Sequence, residues 1–403
     1  MSMSESQIPN LEAAKAMPHP RGSSGPLYIA LADSLQNKIV SGEYPPGSAL
    51  PSVSDLAEQY HVANMTARQA IGLLAKKGFV TRRHGKGTFV QEGAGKLLIG
   101  ILVGPSITEE ATYFYRATVN AMREAIEARG WTSRTFDGLT EAGLPRPMTF
   151  STVKQLRMDL NSQIFHGFIE LSSGVKGLAE MEEGFPLPKV KCDSMAPQND
   201  IEFDFYDFGR KSVEFFASRG ISDLVYIRPY FQTGLEETSV VCRDMDGMFD
   251  AVNALGLPKP LIDNIILDAA PGMSTKSDEI LYEHALSFFR KRKRKKAKYG
   301  LIVNDDIGMR TIALAIAREQ VQVPQDCEIL CLSNEGIHHH YGIPVHRYEQ
   351  PLSTFAIRAL DVLQMRMFDE PLPHLPICIQ GVVTEIDGGL SKSEGKKEVK
   401  ELV

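Results

Sequence analysis

The chain has 403 residues, with 44 Lys plus Arg against 50 Asp plus Glu and a formal net charge of -6, so it is too long for a single small module and close to charge balance. At 43% hydrophobic and 23% charged residues, the composition argues against an intrinsically disordered chain, and no segment approaches the roughly 18 uncharged apolar residues that a membrane span needs. Residues 1–25 hold no apolar core of the kind a signal peptide carries, so a cytoplasmic protein is expected.

Those first residues, with Pro9, Pro18 and Pro20, offer little to bury and read as a flexible arm. Helical spacing begins at Leu27, with Leu31, Leu35 and Ile39 on one face, and ends near Gly42. Ser52 or Ser54 can cap a second helix that runs from Leu56 to Tyr60, and a third carries Ala67, Ala70, Ile71, Leu73 and Leu74 before Gly78. From Phe79 to Val90 two short strands flank a glycine-rich tip. Three helices and a hairpin predict a winged helix-turn-helix over 26–92. Between Thr66 and Val90 stand six Lys or Arg and no acidic residue, a field that attracts phosphates, although a solvated helix-and-turn surface would show the same charges.

After a linker at 93–97 the texture changes to alternating strand and helix signals, which predict parallel sheets with helices on both faces over 98–389. Strands are predicted at 97–103, 165–171, 189–192, 224–227, 263–267, 299–303 and 328–332. Helices are predicted at 113–129, 152–161, 175–182, 209–219, 245–254, 277–294 and 309–319. Residues 390–403 read as a flexible tail. The five cysteines, Cys192, Cys242, Cys327, Cys331 and Cys378, are odd in number and scattered, so reduced thiols are expected rather than a disulfide framework, with Cys327 and Cys331 packing in an apolar strand.

Leu50-Pro-Ser52, Thr66-Ala-Arg68, Gly78 and the run from Arg83 to Val90 together resemble the DNA-binding domain of the GntR family of bacterial transcription factors. The second part is similar to the lactose-repressor-type sensor, through Arg243 with Gly247 and Ala251, Val303-Asn-Asp305, Val323-Pro324 with Asp326, and Tyr348-Glu-Gln-Pro351. The resemblance implies a two-lobed, periplasmic-binding-protein-like α/β sensor behind an N-terminal winged helix-turn-helix, the combination of arabinose-repressor-like regulators. It implies a homodimeric repressor of double-stranded operator DNA, with a sugar or sugar derivative as small-molecule effector, no cofactor and no membrane partner. An activator, or a cytoplasmic binding protein or enzyme with an accessory DNA module, are the rival readings.

The second helix of a helix-turn-helix enters the major groove with its N-terminal end, which here presents Asn64, Met65, Thr66, Arg68 and Gln69. The wing Arg83-His84-Gly85-Lys86-Gly87 can approach the minor groove, and the family motif adds Ser52 and Thr88 to the DNA-facing set. A two-lobed sensor holds its ligand at the carboxyl ends of its strands. That rule selects Ser106, Tyr113 and Phe114 after the first strand, Ser172, Ser173 and Asp193 after the next two, and Arg228, Asn304 and Asp305 in the second lobe; the resemblance adds Arg243. Three features invite other readings. His338-His-His340 cannot all face one metal ion, so metal binding is not expected there. The basic run from Arg290 to Lys296 reads as the solvated last turn of a helix. Asp305-Asp306 has no nucleophile or metal set beside it, which speaks against an enzyme.

Overall fold

The computed structural model describes residues 26–83, 85–91, 97–104, 106–108, 112–139, 150–161, 164–171, 187–192, 199–231, 243–267, 274–293, 297–304, 306–368 and 370–385. The expected N-terminal arm, most of the linker, the helix at 175–182 and the tail after 389 lie outside them. The described residues fall into two compact units, one ending before Leu97 and one holding almost everything after it.

The first unit contains α1 (Leu27–Val40), α2 (Val53–Gln59), α3 (Asn64–Lys76) and the antiparallel pair β1 (Val80–Arg83) and β2 (Gly87–Val90). Ser52 caps α2: its side chain accepts from Asp55 N while the Asp55 carboxylate accepts from Ser52 N, at 3.2 and 3.1 Å. Leu31, Leu35 and Ile39 of α1 are buried, as are Ala67, Ile71 and Leu74 of α3. The 3.6-residue spacing in the sequence is therefore the core seam.

The second unit has two lobes. The first is built from β3 (Leu98–Val103), α4 (Tyr113–Ala128), β4 (Thr132–Phe136), α5 (Phe150–Asn161), β5 (Gly167–Leu171), β6 (Lys189–Cys192) and β7 (Ile201–Phe203). The chain then builds the second through α6 (Phe205–Ser218), β8 (Leu224–Phe231), α7 (Arg243–Leu255), β9 (Leu261–Leu267), α8 (Thr275–Arg292), β10 (Tyr299–Val303), α9 (Asp306–Arg318), β11 (Cys327–Asn334) and β12 (His346–Gln350). It returns to the first lobe for α10 (Leu352–Met367) and β13 (Ile377–Ile379), and crosses once more for β14 (Val382–Thr384). Three crossings thus join two six-stranded sheets, ordered β13-β7-β6-β5-β3-β4 and β14-β12-β11-β10-β8-β9. All described pairings within them are parallel except β12 with β14.

Alternate residues of one strand serve opposite cores. Val225 and Ile227, Leu301 and Val303, and Ile329 and Cys331 pack with α8 and α9, whereas Leu224 and Tyr226, Ile302, and Leu330 and Leu332 pack with α6 and α7. Both faces are covered, which is why these strands read as unbroken apolar runs. Cys327 and Cys331 are buried among them, and the four described cysteines are free thiols.

The strand predicted at 224–227 continues to Phe231, so Arg228 lies within β8 rather than after it. The basic run is not a uniformly solvated turn: Arg292 is buried, bonded to Asp223, and its guanidinium lies 4.6 Å from the Tyr299 ring centroid. Arg290 bridges to Glu319 at 2.8 Å. Two arginines that the sequence placed in solvent thus pin the end of α8, Arg292 at Asp223 and Tyr299 beside the sheet and Arg290 at Glu319 just past α9.

Candidate nucleic-acid interface and effector cleft

The buried side of α3 is Ala67, Ala70, Ile71 and Leu74, which leaves Asn64, Met65, Arg68 and Gln69 exposed and Thr66 half-buried. Met65 is 62% exposed at the first turn, an apolar group suited to a thymine methyl, beside Arg68, whose fork suits guanine or phosphate. Lys77 points the other way, packed into the domain with its Nζ 3.6 Å from Asp33 and 3.1 Å from Gln36, and burial lowers its pKa. Arg68, Lys76, Arg82, Arg83 and Lys86 remain exposed. Arg82 also donates to the Arg68 carbonyl at 3.0 Å, tying the first strand of the wing to the helix. Arg83 lies over the Phe89 ring at 4.7 Å. Gly85 and Gly87 take φ of +70° and +112°, a tip conformation that side chains resist. Ser52 is exposed but occupied as a helix cap, and Thr88 is half-buried with its carbonyl accepting from Leu50 N. His84 lies outside the described residues.

In the second unit, Ser106 hydroxyl donates to Asp137 at 3.2 Å, and Ile107 N donates to the same oxygen at 3.0 Å, so the loop after β3 is anchored on the loop after β4. Tyr113 opens α4 and meets His339 of the other lobe edge-on, ring centroids 5.1 Å apart. Phe114 turns toward Phe203, which stacks on Phe355. Ser172, Ser173, Asp193 and Asp305 lie outside the described residues.

Around the first turn of α7 the second lobe holds a buried polar network. Tyr226 hydroxyl donates to Asp244 Oδ2, and Arg228 Nε stands 3.4 Å from that oxygen. Burial, with the Asp244 charge as a second cause, holds the Tyr226 pKa well above its ordinary value. Asn304 also bonds the Tyr226 side chain. Next to Asp244, Arg243 reaches into the first lobe and pairs with Glu202 of β7 at 2.5 Å. Thus Arg228 within β8 and Asn304 after β10 meet around Tyr226 and Asp244, and Arg243 opens α7 beside Asp244, while Ser106, Tyr113 and Phe114 sit on the first lobe.

Sequence reasoning missed Glu202 and left Asp306, Ser333 and Asn334 out of the effector set. At the ends of β10 and β11, Asn304 Oδ1, Asp306 Oδ2, Ser333 Oγ and Asn334 Oδ1 are buried and make no hydrogen bond with the described residues. Orphaned buried polar atoms are rare in folded chains, and four at adjacent strand ends suit a hydroxyl-bearing ligand. Burial pushes the Asp306 carboxyl up to about 7, against the opposing pull of backbone and Asn334 hydrogen bonds.

The three histidines meet different neighbours. His338 Nδ1 lies 2.5 Å from Arg347, His339 Nε2 lies 4.0 Å from Asp306, and His340 is exposed. Among the described residues no group of three or more His, Cys, Asp or Glu is arranged to hold a metal, and no helix is long and apolar enough to cross a membrane. Apart from the strand ends, a groove of 690 Å³ runs between α4 and α9. Tyr113, Arg116, Ala117 and Asn120 form one wall and Ile307, Arg310, Thr311 and Leu314 the other, each a single helical stripe.

Residues 27–90 match the profile described as bacterial regulatory proteins, gntR family. Over 67 residues the chain is 39% identical to the HTH-type transcriptional repressor NagR of Bacillus subtilis, a span of 17% of this chain and 28% of that protein. Over 107 residues it is 28% identical to the arabinose metabolism transcriptional repressor of Geobacillus stearothermophilus, covering 26% of this chain and 29% of the repressor. The chain therefore spans under a third of the length of these curated relatives. In three dimensions it is similar to a periplasmic binding protein/LacI transcriptional regulator of Alkaliphilus metalliredigens complexed with D-xylulofuranose, with a TM-score of 0.50 and 18% identity over 73% of this chain and 99% of that one. The regulator CcpA of Lactococcus lactis gives a TM-score of 0.51 at 14% identity, covering 72% and 98%. The chain joins a winged helix-turn-helix domain of the bacterial GntR regulatory family to an α/β domain with the fold of LacI-type transcriptional regulators.

Proposed function

We propose that this protein is a transcriptional repressor that binds a two-fold operator as a homodimer, and that a small sugar-like effector held between the lobes of its second unit changes its operator affinity. One chain carries two surfaces of complementary chemistry: an α3 face of Asn64, Met65, Arg68 and Gln69 that suits a major groove, and buried, unmatched polar atoms at the ends of β10 and β11 that suit hydroxyl groups. That second set carries the effector reading. The ligand-bound structure with D-xylulofuranose supports it by fold alone.

In this reading Asn304, Asp306 and Arg243 bind the effector from one lobe and Ser106 and Tyr113 from the other, with Asp305, Asp193, Ser172 and Ser173 completing the set from segments outside the described residues. Effector occupancy shifts the population of lobe arrangements, and two-fold operators read that shift as a change in half-site spacing. The face shared by α4 and α9 suits the dimer contact, because Leu314 on it is 64% exposed. A thermal-shift screen of pentoses, hexoses and disaccharides tests the effector half: a ligand at 100 times its Kd stabilises the folded state by about 2.7 kcal/mol. No shift with any sugar overturns it. A monomeric mass in sedimentation at micromolar concentration without DNA overturns the dimer.

A further inference from the structure

Both arginines described in the second lobe's polar network already face a buried carboxylate. Arg228 stands 3.4 Å from Asp244, with both side chains under 10% exposed. Arg243 is the more open of the two, 38% exposed at the start of α7, and its Nη1 contacts Glu202 Oε1 at 2.5 Å. Glu202 is held on a strand in the other lobe and its side chain is 10% exposed. Cys378 pairs with Glu202 in the register of β7 and β13, and its thiol lies 3.4 Å from the same carboxylate oxygen and 3.9 Å from Arg243. Burial pushes the Cys378 thiol up, so it stays neutral beside the pair. Asp204, one residue past β7, adds a second negative charge within Coulomb range of Arg243.

We propose that Glu202 sets the charge class of the effector: with Arg243 matched to Glu202 and Arg228 to Asp244, the cleft takes an uncharged polyhydroxylated ligand and discriminates against phosphorylated or carboxylated sugars. This rests on the effector reading above. A guanidinium has five N–H donors, and a single carboxylate contact leaves others for hydroxyl oxygens. A neutral sugar therefore uses Arg243 without disturbing Glu202. A phosphate or carboxylate needs the charge itself, and to obtain it must displace Glu202, leaving a nearly buried carboxylate without its partner. Asp306, buried at the first residue of α9, adds no cation to change that balance.

The test uses the full chain and matched probes: glucose, galactose and ribose against glucose 6-phosphate, glucuronate, galacturonate and ribose 5-phosphate, read by thermal shift and then calorimetry. Wild type should respond to a neutral member and bind its charged counterpart at least ~10-fold more weakly, and Glu202→Gln, which frees Arg243, should shift that ratio toward the anion by ~10-fold. Glu202→Asp keeps the charge and should keep the neutral preference. If Glu202→Gln does not fold, as read by circular dichroism, wild type and Glu202→Asp decide. A wild-type preference for the charged members overturns the inference while the effector reading stands. So does a folded Glu202→Gln with an unchanged ratio, which leaves the pair as a contact holding the lobes together. No response to any probe, neutral or charged, overturns the effector reading itself and this inference with it.

Discussion

Gly247→Ala is a one-carbon change placed where two helices touch through their backbones. A Cβ at Gly247 would lie 2.0 Å from the Tyr206 carbonyl oxygen and 2.8 Å from its carbon, and a Cβ at Gly209 would lie 1.8 Å from the Asp244 carbonyl oxygen. Backbone atoms cannot rotate aside, so α6 and α7 must separate by about 1.5 Å to restore an ordinary contact. That separation opens a core containing Phe208, Val213, Met248 and Val252. Overpacking of this kind costs about 1–3 kcal/mol, more where backbone meets backbone, and the better helix propensity of Ala returns about 1 kcal/mol. The expected net loss is about 2 kcal/mol in the second unit. Because α7 begins with Arg243 and Asp244, the same displacement pulls both from their partners, and effector affinity should fall by about tenfold or more. Urea unfolding followed through Trp131, the single tryptophan and one buried in the first lobe, reads the stability. An unchanged midpoint together with unchanged effector affinity would refute the claim that this close crossing is why glycine stands four residues after Arg243.

Arg68→Ala should weaken operator binding by about 1–3 kcal/mol at fixed salt, whereas Lys77→Met should leave it near wild type, because Lys77 is turned into the domain. Equal losses for the two variants, measured by fluorescence anisotropy, would mean that charge count rather than geometry governs the interface. Asp306 predicts a pH dependence: its folded pKa of about 7 lies above the unfolded value near 4, so the folded state keeps a proton that the unfolded chain has released between those pH values. Its contribution therefore lowers stability as pH rises through that window, by about 2–3 kcal/mol between pH 5 and 8. Asp306→Asn should remove that share, and identical urea midpoints against pH for the two proteins would contradict the burial of this carboxyl.

The elements that announced themselves in sequence are those with both faces covered or with one buried stripe. The 98–103 and 299–303 strands are continuous apolar runs, and α1 and α3 repeat their core residues every three or four positions. The missed strands lack such a pattern. Thr132–Phe136 is an edge strand of mostly polar residues, and β7, β13 and β14 have three residues each, too short for any period. On α3 the exposed face was legible because one helical turn sets it. The polar network at the start of α7 was legible only in part. Arg243 is 41 residues from Glu202 in sequence and stands in the other lobe, so only the folded arrangement of the lobes brings them together. The one local hint was a lone acid between Ile201 and Phe203, both buried. Asp305-Asp306 looked like a pair, yet the structure turns Asp306 into the protein, where burial raises its pKa.

In the proposed repressor one ligand site and one DNA surface are coupled. An operator selected from random-sequence DNA, titrated with the full chain by anisotropy at fixed ionic strength, with and without a saturating sugar found by thermal shift, tests it most directly. Coupling between linked sites is commonly about 1–3 kcal/mol, so operator Kd should change roughly 5 to 150-fold. An operator Kd that stays the same at saturating sugar would contradict it.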